Sequence, residues 1–332
     1  MRRLFVASIV TAALAASAVL ARPAVAFAQD GERYAVVIQG ASGEEQYATL
    51  HRGWVDSLLQ VLRERFKFDP ARVSVLAEQA QDGEERSTAE NVRAVLARLA
   101  GEVQPADLVF IMLIGHGSGQ GADAKFNLIG PDLTVTEWES LLKPIKGRLA
   151  VVNTTSSSFA FLAGLSGPNR IVITATNSYA QRYHTVFPET FIQALTAEAA
   201  DVDKNQRISL LEAFTYASRL VGLHYEQDGR MATERPMFDD TGDGKGRDAA
   251  TDGPDGTVAG LTYLDVPEVA TSSDPAVQKL LTRQQELTAQ IDQLRRRQPS
   301  MPPAEFDRQF EPLIIELSLV SRDIRRRGGA VK

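Results

Sequence analysis

The sequence of 332 residues contains no cysteine, which excludes a disulfide, a thiolate nucleophile and a thiolate metal site. It also lacks an excess of positive charge, because 36 Lys and Arg stand against 42 Asp and Glu and the formal net charge is -6. That balance argues against nucleic acid as the main partner. Hydrophobic residues make up 44% of the chain and charged residues 23%, which is typical of a globular protein with one sizeable core.

An apolar run stands near the beginning of the chain. Two arginines precede the alanine-rich run 4–20, and residues 26–28 form an A-x-A site. A basic start, an apolar core and a small-residue site are typical of a bacterial secretory signal peptide. We therefore expect residues 1–28 to be cleaved and the mature protein, with no transmembrane span, to be periplasmic or secreted. An uncleaved membrane anchor is the alternative, because the run is near the lower length limit for a span.

Short apolar runs then alternate with helical patterns. The predicted strands are 34–39, 73–77, 108–114, 148–153 and 170–176, and the predicted helices are 47–66, 87–99, 136–142 and 187–200. Residues 108–114 are nearly all apolar, which favours a central strand that is covered on both faces. Ser87 and Glu90 fit a capping box at the start of the second helix. The alternation predicts a three-layer α/β/α domain with a mostly parallel sheet over residues 29–266.

The C-terminal part differs in composition. Residues 239–260 are rich in Asp, Gly and Thr and are interpreted as a loop. The acidic part 239–246 is interpreted as solvated, and the alternative is that it adds ligands to a cation site. Residues 267–332 are interpreted as a linker and two helices. Asp274 and Pro275 suit the N-cap and first turn of one helix, and Pro312 should kink the other or mark its start. The apolar stripes of both helices predict an antiparallel, coiled-coil-like hairpin, which is a candidate surface for a protein partner or for self-association.

The carboxyl ends of the predicted strands carry polar, glycine-rich turns, and α/β sheets place their sites at these ends. The first strand ends in G-A-S-G (40–43), the third in His116-Gly117, and the fourth in the hydroxyl-rich run 153–159. This order resembles the legumain-like peptidases of the caspase, legumain and gingipain group, which have a G-S-N-G turn and a catalytic H-G. The resemblance covers about residues 34–198, including the segment 126–138, and implies a caspase-like fold.

The resemblance also implies roles for individual residues. His116 takes the position of the family's catalytic base, and Gly117 that of the glycine whose N–H helps to form the oxyanion hole. The family's nucleophilic cysteine lies in E-A-C-x-S-G. It falls on Ser156 if Ser158 matches the family's serine, and on Thr155 if the loop is aligned without a gap. The spacing favours Ser156, and both residues stay candidates.

Either candidate is a hydroxyl, which needs a strong base at the moment of attack and usually a third group that orients the base. No Asp or Glu stands close to His116 in an obvious orienting position. The favoured interpretation is a catalytically inactive peptidase homologue that binds a peptide or protein. One alternative is an active hydrolase that uses Ser156 with His116 as general base, and another is a scaffold that acts through the C-terminal hairpin. His51, His184 and His224 are interpreted as surface or packing residues.

Residues 201–212 fit the register of an EF-hand calcium loop between two helical patterns. The predicted oxygen ligands are Asp201, Asp203, Asn205, the carbonyl of Arg207, Ser209 and Glu212. Gln206 stands where glycine normally allows a left-handed turn, which costs on the order of 1 kcal/mol. The sequence therefore predicts Ca²⁺ as a cofactor, and a helix-turn-helix without metal is the alternative.

Overall fold

The computed structural model describes residues 31–179, 181, 184–266, 272–298 and 301–327. The expected signal peptide at 1–28 and the linker residues 267–271 lie outside the described residues. No helix within the described ranges is both long and apolar enough to cross a membrane.

Strands and helices alternate along the chain. The strands are β1 (Arg33–Gln39), β2 (Val73–Ala77), β3 (Glu85–Arg86), β4 (Leu108–Ile114), β5 (Gly117–Ser118), β6 (Lys125–Phe126), β7 (Leu133–Thr134), β8 (Arg148–Asn153), β9 (Arg170–Thr174) and β10 (Met237–Asp239). The helices are α1 (Glu45–Gln60), α2 (Ala89–Glu102), α3 (Val135–Leu142), α4 (Phe159–Leu165), α5 (Phe187–Ala194), α6 (Leu210–Gln227), α7 (Pro275–Arg297) and α8 (Pro303–Arg327).

Seven strands form the main sheet in the order β10-β9-β8-β4-β1-β2-β3. All neighbouring pairs are parallel except β9 and β10. Helices α1, α5 and α6 cover one face of the sheet, and α2, α3 and α4 cover the other. The chain therefore has a three-layer α/β/α fold with a mostly parallel sheet, as the sequence predicts. The short strands β5, β6 and β7 form a small antiparallel sheet directly after β4.

The central strand β4 explains why its sequence is apolar throughout. All seven of its residues are buried. Phe110 and Met112 belong to the core beneath α1, α5 and α6, whereas Val109 and Ile111 belong to the core beneath α2 and α3. A strand that faces helices on both sides has no solvated face for polar residues, so the predicted strand 108–114 has the observed bounds.

The N-cap of helix α2 lies one residue later than the sequence predicts. Its N-cap is Thr88, whose hydroxyl accepts the N–H of Asn91 at 3.3 Å. Ser87 instead continues the pairing of β3, because its N–H donates to the carbonyl of Ala77 at 2.9 Å. The buried Ser87 hydroxyl has no hydrogen-bond partner. The predicted capping box of Ser87 and Glu90 is therefore wrong.

The Asp- and Gly-rich loop is held from inside by its own carboxylates. Asp239, Asp240 and Asp255 are buried. Asp239 accepts the N–H of Gly242 at 2.9 Å, Asp240 accepts that of Ala259 at 2.7 Å, and Asp255 accepts that of Asp240 at 3.1 Å. Backbone N–H groups that lack a helix or strand partner are thus satisfied by side chains. The interpretation of a solvated loop is wrong for the carboxylates of Asp239 and Asp240.

Helices α7 and α8 form the predicted helical hairpin. Asp274 caps α7 through its carboxylate, which accepts a backbone N–H of the first turn at 2.8 Å, as predicted. Helix α8 runs through Pro312, so this proline does not mark its start. Leu287 and Ile291 of α7 are buried. The two helices therefore pack on each other over part of their apolar surface, while two large apolar residues of α8 stay exposed.

Candidate functional site

Three neighbouring strand ends bring the predicted site residues to one edge of the sheet. β4 and β8 are adjacent and parallel, with Leu113 opposite Asn153. His116 therefore follows the strand next to the one that leads into residues 154–158, which are called the hydroxyl loop below. β1 lies on the other side of β4 and leads into the turn that contains Ser42. The hydroxyl loop and the turn of Ser42 thus lie on either side of the end of β4, which leads into His116.

The imidazole of His116 is half-buried and is oriented by backbone. Burial is the main cause that lowers its pKa, and hydrogen bonding to the backbone of Ser42 acts in the opposite direction. The charges of Glu44 and Glu78 also favour the protonated ring, whereas His184 disfavours it. Glu78 follows β2, and its carboxylate accepts the N–H of Ser42 at 3.3 Å. A neutral ring at neutral pH is able to accept a proton, as a general base must.

Two further histidines lie close to His116 around the ring of Tyr47. The Tyr47 ring centroid is 4.9 Å from that of His116 and 5.5 Å from that of His184. The ring of His51 is 5.1 Å from that of His116, and its Nδ1 is 3.2 Å from the hydroxyl of Ser42. Burial and the like charges of His116 and His184 lower the pKa of His51 to about 4. His51 is therefore a neutral ring inside the site.

Interpreting His51 and His184 as surface or packing residues misses this cluster. For His51 the signal was present, because Tyr47 and His51 are four residues apart on α1 and share a face with the buried Trp54 and Val55. His184 lies in a connecting segment, where no periodicity predicts a contact with α1. His224 lies on α6 beside Asp228 at 3.7 Å and takes no part in the cluster.

The five members of the hydroxyl loop differ in how their hydroxyls are used. Thr154 donates to the carbonyl of Leu113 at 2.7 Å, and Ser158 lies 3.1 Å from the hydroxyl of Thr176. These two hydroxyls hold the loop to β4 and to the end of β9. Thr155 is fully buried, yet its hydroxyl has no hydrogen-bond partner. Ser156 is half-buried, and its carbonyl accepts the Thr176 hydroxyl at 3.2 Å.

Gly117 lies directly against Thr155. A Cβ on Gly117 would be 2.6 Å from Oγ1 of Thr155 and 3.0 Å from the carbonyl oxygen of Lys125. Only glycine fits there without a shift of the backbone. The glycine at the predicted oxyanion position thus contacts the hydroxyl of Thr155, whereas Ser156 is the more accessible of the two candidates. No hydrogen bond joins the imidazole of His116 to the Thr155 hydroxyl.

The predicted calcium loop is folded around its carboxylates. Oxygens of Asp201, Asp203 and Glu212 lie within 4.8 Å of one another. No other set of three acidic or histidine side chains in the described part of the chain is clustered as closely. Asn205 and Ser209 are tied to this group. The N–H of Asn205 donates to Asp201 at 3.1 Å, and the hydroxyl of Ser209 donates to Glu212 at 2.8 Å. Oxygen atoms from both halves of the loop thus face one position.

The defective glycine position of the loop adopts the strained conformation that the motif requires. Gln206 has a φ of 69°, and Lys204 has a φ of 59°. The Arg207 side chain lies outside the carboxylate group, because it pairs with Asp265 at 2.9 Å and stacks on Tyr263 at 3.9 Å. The loop therefore keeps its turn without glycine, at a cost in backbone strain.

The hairpin contacts the predicted calcium loop, residues 201–212. Arg295 of α7 lies 3.5 Å from Asp203. Burial is the largest cause that raises the pKa of Asp203, the charge of Glu212 adds to it, and Arg295 opposes both. A cavity of about 580 Å³ lies beside this ion pair and is lined by the calcium loop, by residues 253–257 and by Phe306 and Phe310 of the hairpin. Neither His116 nor the hydroxyl loop lines it.

Comparisons with known proteins give structural neighbours only. No protein-family model and no curated protein sequence matches the chain. Protein GSU0716 from Geobacter sulfurreducens aligns with a TM-score of 0.44 and 11% identity, over 71% of this chain and 100% of that protein. The Drosophila initiator caspase Dronc aligns with a TM-score of 0.38 and 13% identity, over 63% of this chain and 79% of the caspase. drICE aligns with a TM-score of 0.39 and 9% identity, over 59% and 85% respectively.

Proposed function

We propose that this protein is a catalytically inactive homologue of legumain-like and caspase-like peptidases that binds peptide or protein segments at the carboxyl edge of its sheet. The oriented imidazole of His116 and the close packing of Gly117 support a site of that kind. A single observation argues against turnover: the hydroxyl that contacts Gly117, that of Thr155, is fully buried and not hydrogen-bonded to the base. A hydroxyl without a base is a poor nucleophile.

The absence of cysteine from the chain allows a clean test. Thr155→Cys and Ser156→Cys each introduce the only thiol, so iodoacetamide reports one site. An ordinary thiol has a pKa of about 8.5, and a neighbouring base or cation lowers it. We expect one of the two variants to be alkylated at a lower pH than Ser57→Cys, an exposed control on α1. The additional change His116→Ala should abolish this difference.

The outcome also separates the candidate positions. If neither thiol is alkylated at a lower pH than that of Ser57→Cys, the dyad geometry of the peptidases is absent and the proposed relationship to them fails. If one is activated, its variant should cleave a peptide library that the wild-type protein binds but leaves intact.

An active serine hydrolase is the second candidate, and one observation favours it. Ser156 is half-buried rather than enclosed, so its hydroxyl is more open to a substrate than that of Thr155. A fluorophosphonate probe should then label the wild-type protein and fail on Ser156→Ala, while Ser157→Ala is still labelled. Labelling with this pattern would replace the inactive homologue by the enzyme.

We also propose that the loop 201–212 binds Ca²⁺ through Asp201, Asp203 and Glu212, with Asn205, Ser209 and the carbonyl of Arg207 as further ligands. Three carboxylates that face one position repel each other without a cation, so Ca²⁺ should stabilise the fold. We expect Ca²⁺ to raise the melting temperature and Glu212→Gln to abolish the rise.

Asp248→Asn is the matched control for this site, because its carboxylate accepts a backbone N–H in a loop outside the group. This variant should keep the full response to Ca²⁺. A wild-type protein that gives neither a thermal shift nor binding heat in millimolar Ca²⁺ would leave the loop as a helix-turn-helix without metal.

The cellular location and the hairpin provide two further tests. We propose export to the periplasm or the medium, and N-terminal sequencing of the mature protein should then begin at Gln29.

The scaffold alternative requires the hairpin 275–327 for partner capture. A partner that is still bound after removal of this hairpin would exclude that alternative.

A further inference from the structure

A buried carboxyl group outside the site holds the segment that leads into it. Glu234 lies between α6 and β10 and is 1% exposed. It accepts the N–H groups of Val186 at 2.9 Å and Phe187 at 2.8 Å, and the hydroxyl of Tyr225 donates to it at 3.3 Å. Glu234 therefore fixes the start of α5 from a distant part of the chain.

The two residues before Val186 contact the candidate site. The buried hydroxyl of Thr185 donates to the carbonyl of Thr154, the first residue of the hydroxyl loop. The ring of His184 lies 5.5 Å from that of Tyr47, which also packs on His116. A shift at Val186 would therefore displace groups on both sides of the site, namely the hydroxyl loop through Thr185 and the histidine cluster through His184.

We infer that Glu234 is a positioning residue of the candidate site, which anchors residues 184–187 so that Thr185 holds the hydroxyl loop and His184 packs against Tyr47. The inference goes beyond the proposed function, because it applies equally to an inactive and to an active site. It assigns Glu234 no contact with a ligand.

The carboxyl group of Glu234 is held by hydrogen bonds from neutral groups. Within the part of the chain that the structure describes, no cationic side chain acts on Glu234, and the groups that do are the two backbone N–H groups and Tyr225. Gln181 extends the network, since its amide donates to the Tyr225 hydroxyl at 3.5 Å and to the carbonyl of His184 at 3.2 Å. A buried carboxylate without a cation is costly to desolvate, and the hydrogen bonds to its two oxygens offset part of that cost.

The same burial makes the anchor responsive to pH. Burial raises the pKa of Glu234 to about 7, although the two N–H groups oppose the shift. Tyr225 is the titratable group that faces it, and Arg230 lies over the ring of Tyr225 at 5.4 Å. A protonated carboxyl group must use one oxygen as a donor, so one of its three present donors loses its acceptor. Residues 184–187 should therefore shift as the pH passes through neutrality.

Amide NMR of the full chain tests the inference without any need for turnover. The amides of Val186 and Phe187 should titrate with a midpoint near the pKa of Glu234, and that of Thr155 should titrate with the same midpoint through Thr185. Glu234→Gln should remove this inflection at all three amides. Glu226→Gln, an exposed change on α6, should leave it in place. The ring signals of His116 and His184 should move in Glu234→Gln, while that of His224 stays.

Two results would overturn the positioning role. The first is an inflection at Thr155 that persists in Glu234→Gln. The second is an inflection at Val186 that Glu234→Gln removes while Thr155 never shows one, in which case Glu234 only caps α5. Glu234→Asp guards against a folding failure, because it keeps an ionisable carboxyl group and should restore an inflection. Neither result depends on whether the protein cleaves or binds peptide.

Discussion

Among single residues, two adjacent threonines of the hydroxyl loop differ in whether their hydroxyl groups form a hydrogen bond. Thr154 and Thr155 are both fully buried. The Thr154 hydroxyl donates to Leu113, whereas that of Thr155 is buried without a partner. Structural hydroxyls normally contribute a hydrogen bond, and an unsatisfied one costs the free energy of its desolvation. Thr155 is therefore the residue of the loop that stability does not explain.

The two threonines give a matched prediction. Thr154→Ala and Thr155→Ala remove the same atoms, but only the first removes a hydrogen bond. We expect Thr154→Ala to lower the free energy of unfolding by about 1–2 kcal/mol more than Thr155→Ala does. Urea denaturation of both variants measures the difference. Equal losses would mean that the Thr155 hydroxyl is also bonded and that its place in the site needs another explanation.

At the scale of secondary-structure elements, the start of α2 tests the corrected cap. Thr88→Ala removes the hydroxyl that accepts the N–H of Asn91 and should cost about 1 kcal/mol. Ser87→Ala removes a buried hydroxyl without a partner and should be neutral or slightly stabilising. Glu90→Ala should also be close to neutral, because Glu90 is exposed and completes no capping box. The reverse order in thermal denaturation would reinstate Ser87 as the cap.

The calcium loop offers a second prediction for an element. Gln206 holds a left-handed backbone with a φ of 69°, and a side chain there costs roughly 1–2 kcal/mol relative to glycine. Gln206→Gly should therefore stabilise the protein by about 1 kcal/mol after the entropy of a free glycine is counted. Gln206→Ala keeps the strained side chain and should give no such gain. Denaturation of the two variants, with and without Ca²⁺, provides the comparison.

The elements also show what the sequence could and could not predict. β4 and β8 were predictable with their observed bounds, because strands covered on both faces must be apolar throughout. The proximity of His116 and the hydroxyl loop at one edge of the sheet was predictable because they directly follow those strands. The buried carboxylates of Asp239 and Asp240 were not, since a loop built around its own carboxylates has the same composition as a solvated one.

The remaining site residues come together only through long-range packing. Glu234 and Val186 are separated in the sequence by the whole of α5 and α6, and no spacing rule connects them. His184 reaches Tyr47 because α5 packs on the same face of the sheet as α1. Local patterns specify which face an element buries, but not which loops meet at the end of the sheet. These residues therefore appear only once the fold is known.

At the scale of the whole molecule, two buried groups should oppose each other in the dependence of stability on pH. The pKa of His51 is lowered to about 4, so between pH 6.5 and 4 the unfolded chain binds a proton that the folded chain does not. Its contribution to stability therefore falls on acidification. The pKa of Glu234 is raised to about 7, so between pH 7 and 4.5 the folded chain binds the extra proton. Its contribution rises on acidification over nearly the same range.

Each group alone would give a slope of about 1.4 kcal/mol per pH unit, with opposite signs. We expect Glu234→Gln to lose stability relative to the wild-type protein as the pH falls from 7 to 4.5, because the variant lacks the stabilisation that protonation of Glu234 gives the folded wild-type protein. His51→Gln should gain stability relative to the wild-type protein as the pH falls from 6.5. Urea denaturation at a series of pH values, taken as the difference from wild type, removes the contributions that the variant and the wild-type protein share. Difference curves that are flat, or that share one sign, would show that these two buried groups do not titrate as their surroundings dictate.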